Sequence, residues 1–183
     1  MDKNKFITRL KESIVLNYQS IKEQDSLISF GIYTDGDAST LSFYYNTDKY
    51  LSEQIESIDE EDPEKAQMSD YYAFFMEDWK GDVGCTLSDK RLDYLNKQIY
   101  EFGASEYESG NYDYKDEVFD LFTQALEELK QEGLFTKEGE SFFLHLEVSD
   151  SWIDDEMLQR ISRLMSAERF EQYKSYAAYN NEC

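Results

Sequence analysis

Residues 29–47, SFGIYTDGDASTLSFYYNT, contain two short runs in which apolar and polar residues alternate. A period of two is typical of β-strands, because successive side chains point to opposite faces of a sheet. Between the runs lies Asp35-Gly36, a strong hairpin signal, since glycine adopts positive φ freely and aspartate hydrogen-bonds its own backbone. We therefore predict an antiparallel hairpin over residues 29–46, with its turn at residues 35–38.

Helical patterns elsewhere in the chain, with apolar residues three or four apart, provide apolar faces to cover this hairpin. The predicted helices run over residues 3–22, after an N-cap at Thr47, from Leu92 to a stop at Gly103, over 114–131, over Met157–Met165, and, as a shorter helix, after a cap at Ser166. Further strands are predicted near Tyr72–Met76 and over 141–148. The acidic segment DEEDPEK, residues 59–65, holds the single proline and is predicted to be an exposed loop.

The length of the chain, 183 residues, suits one domain with a substantial core. A domain of this size buries roughly 70% of its unfolded surface, so it needs no disulfides for stability. The predicted order of elements lacks the regular βαβ alternation of doubly wound folds. We predict a single α+β domain over residues 1–183, with a mostly antiparallel sheet whose N-terminal hairpin is packed by several amphipathic helices.

Charge restricts the partners of this chain. Its 40 acidic and 18 basic residues give a net charge of −22. Such a surface repels nucleic acid, whose binding depends on lysine and arginine contacts to phosphate, and it also repels anionic membranes. The aromatic content of 16% argues against a disordered acidic chain, so we expect a folded acidic protein.

The chain carries the features of a cytoplasmic protein. Its longest uninterrupted apolar run, YYAFFM at residues 71–76, is far shorter than the roughly 20 residues that a membrane span needs. The N-terminal residues mix charges into the apolar positions, a pattern unlike that of a signal peptide. Cys85 and Cys183 have no CxxC partner, so we expect reduced thiols.

Asp35 and Asp37 resemble the start of a calcium-binding loop, but an EF-hand needs regularly spaced oxygen ligands and a glutamate at its twelfth position. Here the chain passes straight into the second strand. An Asp-x-Asp pair also holds divalent ions beside nucleotide-sugars, yet no nucleotide-binding fingerprint accompanies it. Paired carboxylates for acid–base catalysis are not informative among 40 acidic residues. The pair is therefore interpreted as part of a turn.

The single histidine, His145, lies with Phe143 and Glu147 on one face of a predicted strand and is interpreted as structural, since no ligand spacing for a metal accompanies it. Cys85 lies in a glycine-rich turn without basic neighbours to activate it. Gly81 and Gly84 do not form a phosphate-binding pattern. We expect no metal, no cofactor and no catalytic residues.

Several short motifs follow one another along the chain: an amphipathic N-terminal helix, YTDGDA at residues 33–38, NT at 46–47, EDW at 77–79 and SDSW at 149–152. Their order and spacing resemble a bacterial family of domains of unknown function, number 4303. The resemblance implies no activity and no catalytic residues. Proteins similar to this family occur among candidate immunity proteins of bacterial toxin systems, which implies a neutralising binding protein.

The sequence leaves three hypotheses for function. The first is an acidic, non-catalytic protein-binding domain, an immunity protein that neutralises a basic toxin such as a nuclease, because complementary charge speeds association. The second is a housekeeping or regulatory interaction domain whose acidity serves solubility only. The third is an unrecognised enzyme, which would show a concave pocket with converging polar groups. The oligomeric state stays open.

The residues expected to contact a basic partner lie in acidic loops and beside a tryptophan. They are Asp35, Asp37, Asp59, Glu60, Glu61, Asp62, Glu77, Asp78 and Trp79. Trp79 and Trp152 are both predicted to be buried anchors of the core, and the alternative for each is an exposed residue on a binding face.

Overall fold

The structure, a computed structural model, describes residues 1–23, 26–83, 89–139, 142–149 and 152–181. Its sheet has the strand order β3-β2-β1-β4. The strands are β1 (Leu27–Thr34), β2 (Ser42–Thr47), β3 (Gly81–Asp82) and β4 (Phe143–Val148). Cys85 and Cys183, for which reduced thiols were expected, lie outside the described residues.

The predicted hairpin is confirmed. Strands β1 and β2 pair antiparallel, and the Ala38 backbone N–H donates to the Asp35 carbonyl across 2.9 Å to close the turn. The sheet was predicted to be mostly antiparallel, and this is corrected: β4 runs parallel to β1, so the sheet is mixed. A parallel neighbour requires a long crossover connection, and the helices between β1 and β4 supply it.

Helices make up most of the remaining described chain. They are α1 (Lys3–Ile21), α2 (Asp48–Glu56), α3 (Lys65–Phe74), α4 (Lys90–Ser109), α5 (Tyr114–Gln131), α6 (Asp155–Ser162) and α7 (Ala167–Asn180). The predicted N-caps are confirmed, since Thr47 accepts from the Tyr50 N–H and Ser166 accepts from the Arg169 N–H. Among these helices, none has both the length and the apolar character that crossing a membrane requires.

The strand predicted near Tyr72–Met76 is wrong. This segment is the end of α3, followed by a 3₁₀ turn at Met76–Asp78. An unbroken apolar run has no periodicity, so it fits a buried strand and a buried helix equally well. Here the helix is fixed by packing of Phe74 against Tyr173 of α7, with ring centroids 5.4 Å apart.

Two helices are longer than the sequence predicts. Helix α4 continues past Gly103 and ends at Gly110, whose φ of 80° is the left-handed geometry that favours glycine. Gly103 instead makes room for a neighbour, because an added Cβ would lie 2.9 Å from Tyr114 Cε2. Helix α7 has 14 residues and is longer than α6, which has 8.

Helices cover both faces of the sheet. On one face, Phe30 of β1 packs against Tyr18 of α1 with ring centroids 6.0 Å apart. On the other face, Phe143 of β4 packs against Phe74 of α3 at 5.4 Å. Gly31 permits close approach on this second face, since an added Cβ would lie 2.0 Å from Met76 Cε and 2.7 Å from the His145 carbonyl oxygen. The molecule is thus a three-layer α/β/α arrangement.

Candidate functional site

A cavity of about 370 Å³ opens beside the carboxyl end of β4, on the face that α7 covers. Its walls include His145 and Glu147 of β4, Glu77 of the 3₁₀ turn, Trp152, and Tyr173 and Tyr176 of α7. Strands β1 and β4 run parallel and end side by side, with Thr34 opposite Val148. The carboxyl ends of parallel strands are the usual place for ligands in α/β sheets.

His145 is fully buried in the wall of this cavity. Neither of its ring nitrogens makes a hydrogen bond of acceptable geometry to the described residues. Burial lowers the pKa of His145 to about 3, and the nearby backbone of Phe74 opposes this only in part. The ring is therefore neutral at neutral pH, with one nitrogen able to accept and the other able to donate a hydrogen bond.

Glu147 lies beside His145, with its Oε2 atom 4.0 Å from His145 Nε2. The pKa of Glu147 is raised to about 8, mainly by burial: the Met76 N–H, which donates to Oε2 across 2.6 Å, opposes the rise, and the charges of Glu77 and Asp78 contribute to it. Glu147 is therefore mostly protonated at neutral pH. Two adjacent ionisable groups are held neutral in one cavity, which is unusual for purely structural residues.

The other carboxylates of this region lie on the 3₁₀ turn. Glu77 accepts a short hydrogen bond from the Tyr33 hydroxyl. Burial, and then the charge of Glu77, raise the pKa of Asp78, while a hydrogen bond with Tyr71 lowers it. No lysine or arginine in the described part of the chain forms an ion pair with Glu77, Asp78 or Glu147.

Trp152 lines the cavity and is 72% exposed. Its prediction as a buried core anchor is therefore wrong. The segment that carries it is fixed by Asn181, whose side chain accepts from the Ile153 N–H across 3.1 Å and donates to the Ile153 carbonyl across 2.9 Å. The end of α7 thus holds an exposed indole at the edge of the cavity.

Trp79 has the opposite environment and is only 4% exposed. Its indole N–H donates to the Ala73 carbonyl across 3.1 Å, and its ring lies 6.1 Å from that of Phe143. Trp79 is confirmed as a core residue, and it presents little surface for contact with a partner. It lies behind the cavity, with its ring centroid 5.9 Å from that of His145.

Asp35 stabilises the hairpin turn, and Asp37 connects the turn to α5. The Asp35 carboxylate accepts from the backbone N–H groups of Asp37 and Ser39 and from the hydroxyls of Ser39 and Thr40. Asp37 forms an ion pair with Lys115 at 2.6 Å. The interpretation of the pair as part of a turn is confirmed.

The turn nevertheless lies near the cavity. A Cβ added at Gly36 would be 3.3 Å from the carbonyl oxygen of Ser149, which lines the cavity. The backbone N–H of Ser149 also donates to the Thr34 carbonyl across 2.9 Å. The acidic turn and the cavity therefore belong to the same end of the sheet.

The acidic segment at residues 59–62 is an exposed loop, as predicted. Asp59 and Asp62 accept from backbone N–H groups two residues further on, and Glu60 pairs with Lys65 at 2.7 Å. Just beyond this loop, Glu64 accepts from the Tyr179 hydroxyl across 3.3 Å. The loop is thereby joined to the end of α7, where Asn180 and Asn181 line the cavity.

The sequence contained a signal for the buried pair. Strand periodicity places His145 and Glu147 on one face, and the structure confirms that register. What the sequence did not indicate is that the 3₁₀ turn and α7 leave a cavity over this face. Among the described residues, no group of three or more histidine, cysteine or acidic side chains has a geometry that could hold a metal ion.

Asp35→Ala is expected to lower the free energy of unfolding by about 2 kcal/mol, because it removes several hydrogen bonds to a charged acceptor. Asp37→Ala, the matched control two residues away, should cost less than about 1 kcal/mol, since it removes only a surface ion pair. Urea denaturation of both variants measures the difference. Equal losses would contradict the role assigned to Asp35 in the turn.

The three layers and the polar cavity at the end of the parallel strands define a small mixed α/β domain. The chain belongs to the family described as "Domain of unknown function (DUF4303)", whose model matches residues 10–166. A search of curated proteins and a search of solved structures each found no match.

Proposed function

We propose that this chain is an acidic, non-catalytic binding protein whose partner is a basic protein of the same cytoplasm. The observation that carries the proposal is a group of three acidic side chains without a lysine or arginine ion pair in the described chain: Glu77 and Glu147 line the cavity, and Asp78 lies close enough to act on Glu147 through its charge. A net charge of −22 adds a long-range attraction for a basic partner.

The surroundings of the cavity suit a protein interface. Trp152 exposes a large aromatic surface at its edge, and tryptophan is among the residues that contribute most to binding energy. The acidic loop at 59–62 and the turn at 35–38 adjoin the same end of the molecule through Glu64 and Ser149. Protein interfaces commonly have an apolar centre and a polar rim, and acidic residues around a central aromatic residue fit this arrangement.

A narrower form of this proposal comes from the resemblance of the sequence motifs. Proteins similar to this family occur among candidate immunity proteins of bacterial toxin systems, which implies that the partner is a toxin and that binding neutralises it. A basic nuclease fits the charge of this chain, because a surface that attracts nucleic acid also attracts an acidic protein. The competing hypothesis, that the acidity serves only solubility, requires no such partner.

Association with the basic protein encoded by a neighbouring gene should slow steeply with salt, since the Debye length falls from about 10 Å at about 0.1 M to about 3 Å at about 1 M. Dissociation depends on the centre of the interface and should change much less. Stopped-flow or surface-based kinetics at the two ionic strengths measure both rates. A salt-independent association rate would refute the electrostatic mechanism.

Two variants that each remove four acidic residues show which part of the surface speeds association. Replacing Asp59, Glu60, Glu61 and Asp62 with serine should slow association as high salt does, with little loss of stability. The control replaces four exposed acidic residues of the layer on the other face of the sheet, Asp93, Glu101, Glu108 and Asp113, with serine. Equal slowing by both variants would indicate an effect of net charge alone. Failure to recover any basic partner would favour the solubility hypothesis.

One observation favours an enzyme as the second candidate. His145 and Glu147 are adjacent in a cavity, and burial lowers the pKa of one and raises the pKa of the other, a relation found in acid–base catalysts. An activity that disappears in both His145→Gln and Glu147→Gln, while binding of a basic protein is unchanged, would support this candidate. Loss of partner binding in the same variants would support the binding protein.

A further inference from the structure

We infer that the cavity beside β4 binds the guanidinium group of an arginine side chain that the basic partner inserts between β4, the 3₁₀ turn and α7. This inference rests on the proposed binding function and names the chemical group that the site recognises. It concerns a charged anchor at the centre of the interface, whereas the acidic loops act at its rim.

The charges around the cavity favour a cation. The carboxylates of Glu77 and Asp78 each raise the pKa of Glu147 through their charge, so the three groups are close enough to repel one another. A cation placed among them would replace this repulsion with attraction. Because the Glu147 side chain is only 11% exposed, a pair with it is electrostatically stronger than one on an open surface, whereas Glu77 lies at the exposed side of the cavity.

Independently of the acidic cluster, the buried histidine in the cavity wall indicates a hydrogen-bonding ligand. His145 is fully buried, and its ring nitrogens make no hydrogen bond of good geometry to the described residues, since the Phe74 backbone offers only a marginal one. A buried polar group without a partner costs about 1–3 kcal/mol, so such groups usually meet a ligand or water. The unprotonated nitrogen of the neutral ring can accept a hydrogen bond from a donor-only ligand.

The donors of a guanidinium match these acceptors. Its five N–H groups lie in one plane and can reach several acceptors at once. The cavity offers the Glu147 and Glu77 carboxylates and one ring nitrogen of His145. Lysine has a compact and strongly hydrated charge, so it fits a site with separated acceptors less well.

The size and walls of the cavity also suit a side chain. At about 370 Å³ it lies near the lower end of small-ligand pockets, which excludes a folded segment. Phe75, Tyr176 and Trp152 contribute aromatic rings to its walls. Guanidinium groups stack on such rings, with additional attraction from the ring electrons.

The ionisable groups around Glu147 give binding a distinctive pH dependence. They are His145 on its own strand, Glu77 and Asp78 on the 3₁₀ turn, Tyr33 on β1, Tyr71 on α3, and Tyr173 and Tyr176 on α7. Burial raises the pKa of Tyr71 to about 12 and that of the other three tyrosines further, so all stay neutral. His145, with a pKa of about 3, is also neutral above pH 6. Glu147, with a pKa of about 8, is the group expected to release a proton when the cation binds.

The test uses the full chain with N-acetyl-arginine amide, and with N-acetyl-citrulline amide as the uncharged analogue of nearly equal shape. Calorimetry or NMR titration should show that the arginine probe binds more tightly than the citrulline probe. Its affinity should increase about tenfold per pH unit between about pH 6 and pH 8 and then level off. Equal affinity for the two probes, or no binding up to about 50 mM of the arginine probe, would overturn the inference.

Variants separate recognition from loss of fold. Glu147→Gln, checked by circular dichroism and thermal unfolding, should weaken arginine binding and remove its pH dependence. Trp152→Ala should weaken binding and keep the pH dependence, and Glu101→Gln, an exposed carboxylate on α4, should change neither. An unchanged pH dependence in Glu147→Gln would refute the assignment of Glu147.

The same experiments distinguish failure of the inference from failure of the proposed function. Binding of a basic partner without binding of the arginine probe would reject the cavity as the anchor site and leave the proposed function standing. Binding of the probe without any basic protein partner would reject the proposed function, and with it the claim that the arginine comes from a protein.

Discussion

Glu147→Gln is expected to raise the free energy of unfolding at about pH 9 by up to about 5 kcal/mol, and to change it little at about pH 4. The folded protein raises the pKa of this carboxyl from 4.5 to about 8. Between these two values the folded state therefore holds a proton that the unfolded state has lost. The stabilising contribution is complete below about pH 4.5 and is lost as the pH rises through about 8.

The glutamine variant removes this loss because its amide stays neutral at every pH. Its carbonyl oxygen can still accept from the Met76 N–H, which donates to Glu147 Oε2. The figure of about 5 kcal/mol is an upper limit, since it assigns the whole pKa difference to folding. The effect is large compared with the total stability of a typical domain, about 5–15 kcal/mol.

His145 contributes with the opposite sign. Burial lowers its pKa from 6.5 to about 3, so the unfolded state binds the extra proton between these values. Its contribution is complete above about pH 6.5 and is lost as the pH falls towards 3. From about pH 4.5 to 6.5 the contributions of His145 and Glu147 cancel, and the pair predicts a plateau there with declines on both sides.

Urea denaturation of the wild type and of Glu147→Gln from about pH 4 to pH 9 measures these contributions. The two curves should coincide below about pH 4.5 and separate progressively from there to about pH 8. Glu101→Gln, at an exposed position on α4, provides the control and should follow the wild type throughout. Parallel curves for the wild type and Glu147→Gln would show that Glu147 ionises normally in the folded state.

The parts of the fold that were predicted correctly depend on local signals. The hairpin was readable because Asp35-Gly36 specifies a turn chemically and the flanking runs alternate strictly. Helix α5 was predicted with its observed bounds because its apolar residues follow one helical face and Gly133 ends it with a φ of 85°. Such features need only neighbouring residues, so the sequence contains them.

The features that were missed depend on contacts between distant parts of the chain. The run YYAFFM does not distinguish helix from strand, and packing of α3 against α7 decides the matter. The parallel pairing of β4 with β1 joins residues more than a hundred positions apart, beyond what local periodicity specifies. The cavity is likewise bounded by β4, the 3₁₀ turn and α7.

The two tryptophans show the same limit at single residues. In the sequence, Trp79 follows two acidic residues, and Trp152 comes shortly after a predicted strand. In both cases the general tendency of large aromatic residues to be buried predicts a core position. The structure buries Trp79 and leaves Trp152 72% exposed. The difference comes from their neighbours: α3 and β4 enclose Trp79, whereas Trp152 lies at the edge of the cavity.

Trp79→Ala is expected to lower the free energy of unfolding by about 3–5 kcal/mol, the range for removal of a large buried aromatic side chain. The substitution leaves a void beside Phe143 and His145, whose rings lie 6.1 Å and 5.9 Å from that of Trp79. It also removes the donor to the Ala73 carbonyl near the end of α3. Trp79→Phe should recover part of the packing but not the hydrogen bond, and so should fall between the wild type and the alanine variant.

Trp152→Ala is the matched control, and it should change the free energy of unfolding by less than about 0.5 kcal/mol because most of its side chain is already in water. If the proposed interface is correct, the same variant should dissociate from the basic partner at least about tenfold faster, as expected for an aromatic residue at the centre of an interface. Chemical denaturation measures the first effect and dissociation kinetics the second. A large loss of stability in Trp152→Ala would indicate that the indole packs in the core, and normal dissociation would remove Trp152 from the interface.

Because Trp79 acts only through the fold, a conservative Trp79→Phe variant that stays folded should bind the partner normally. The two tryptophans therefore separate stability from recognition within one cavity region.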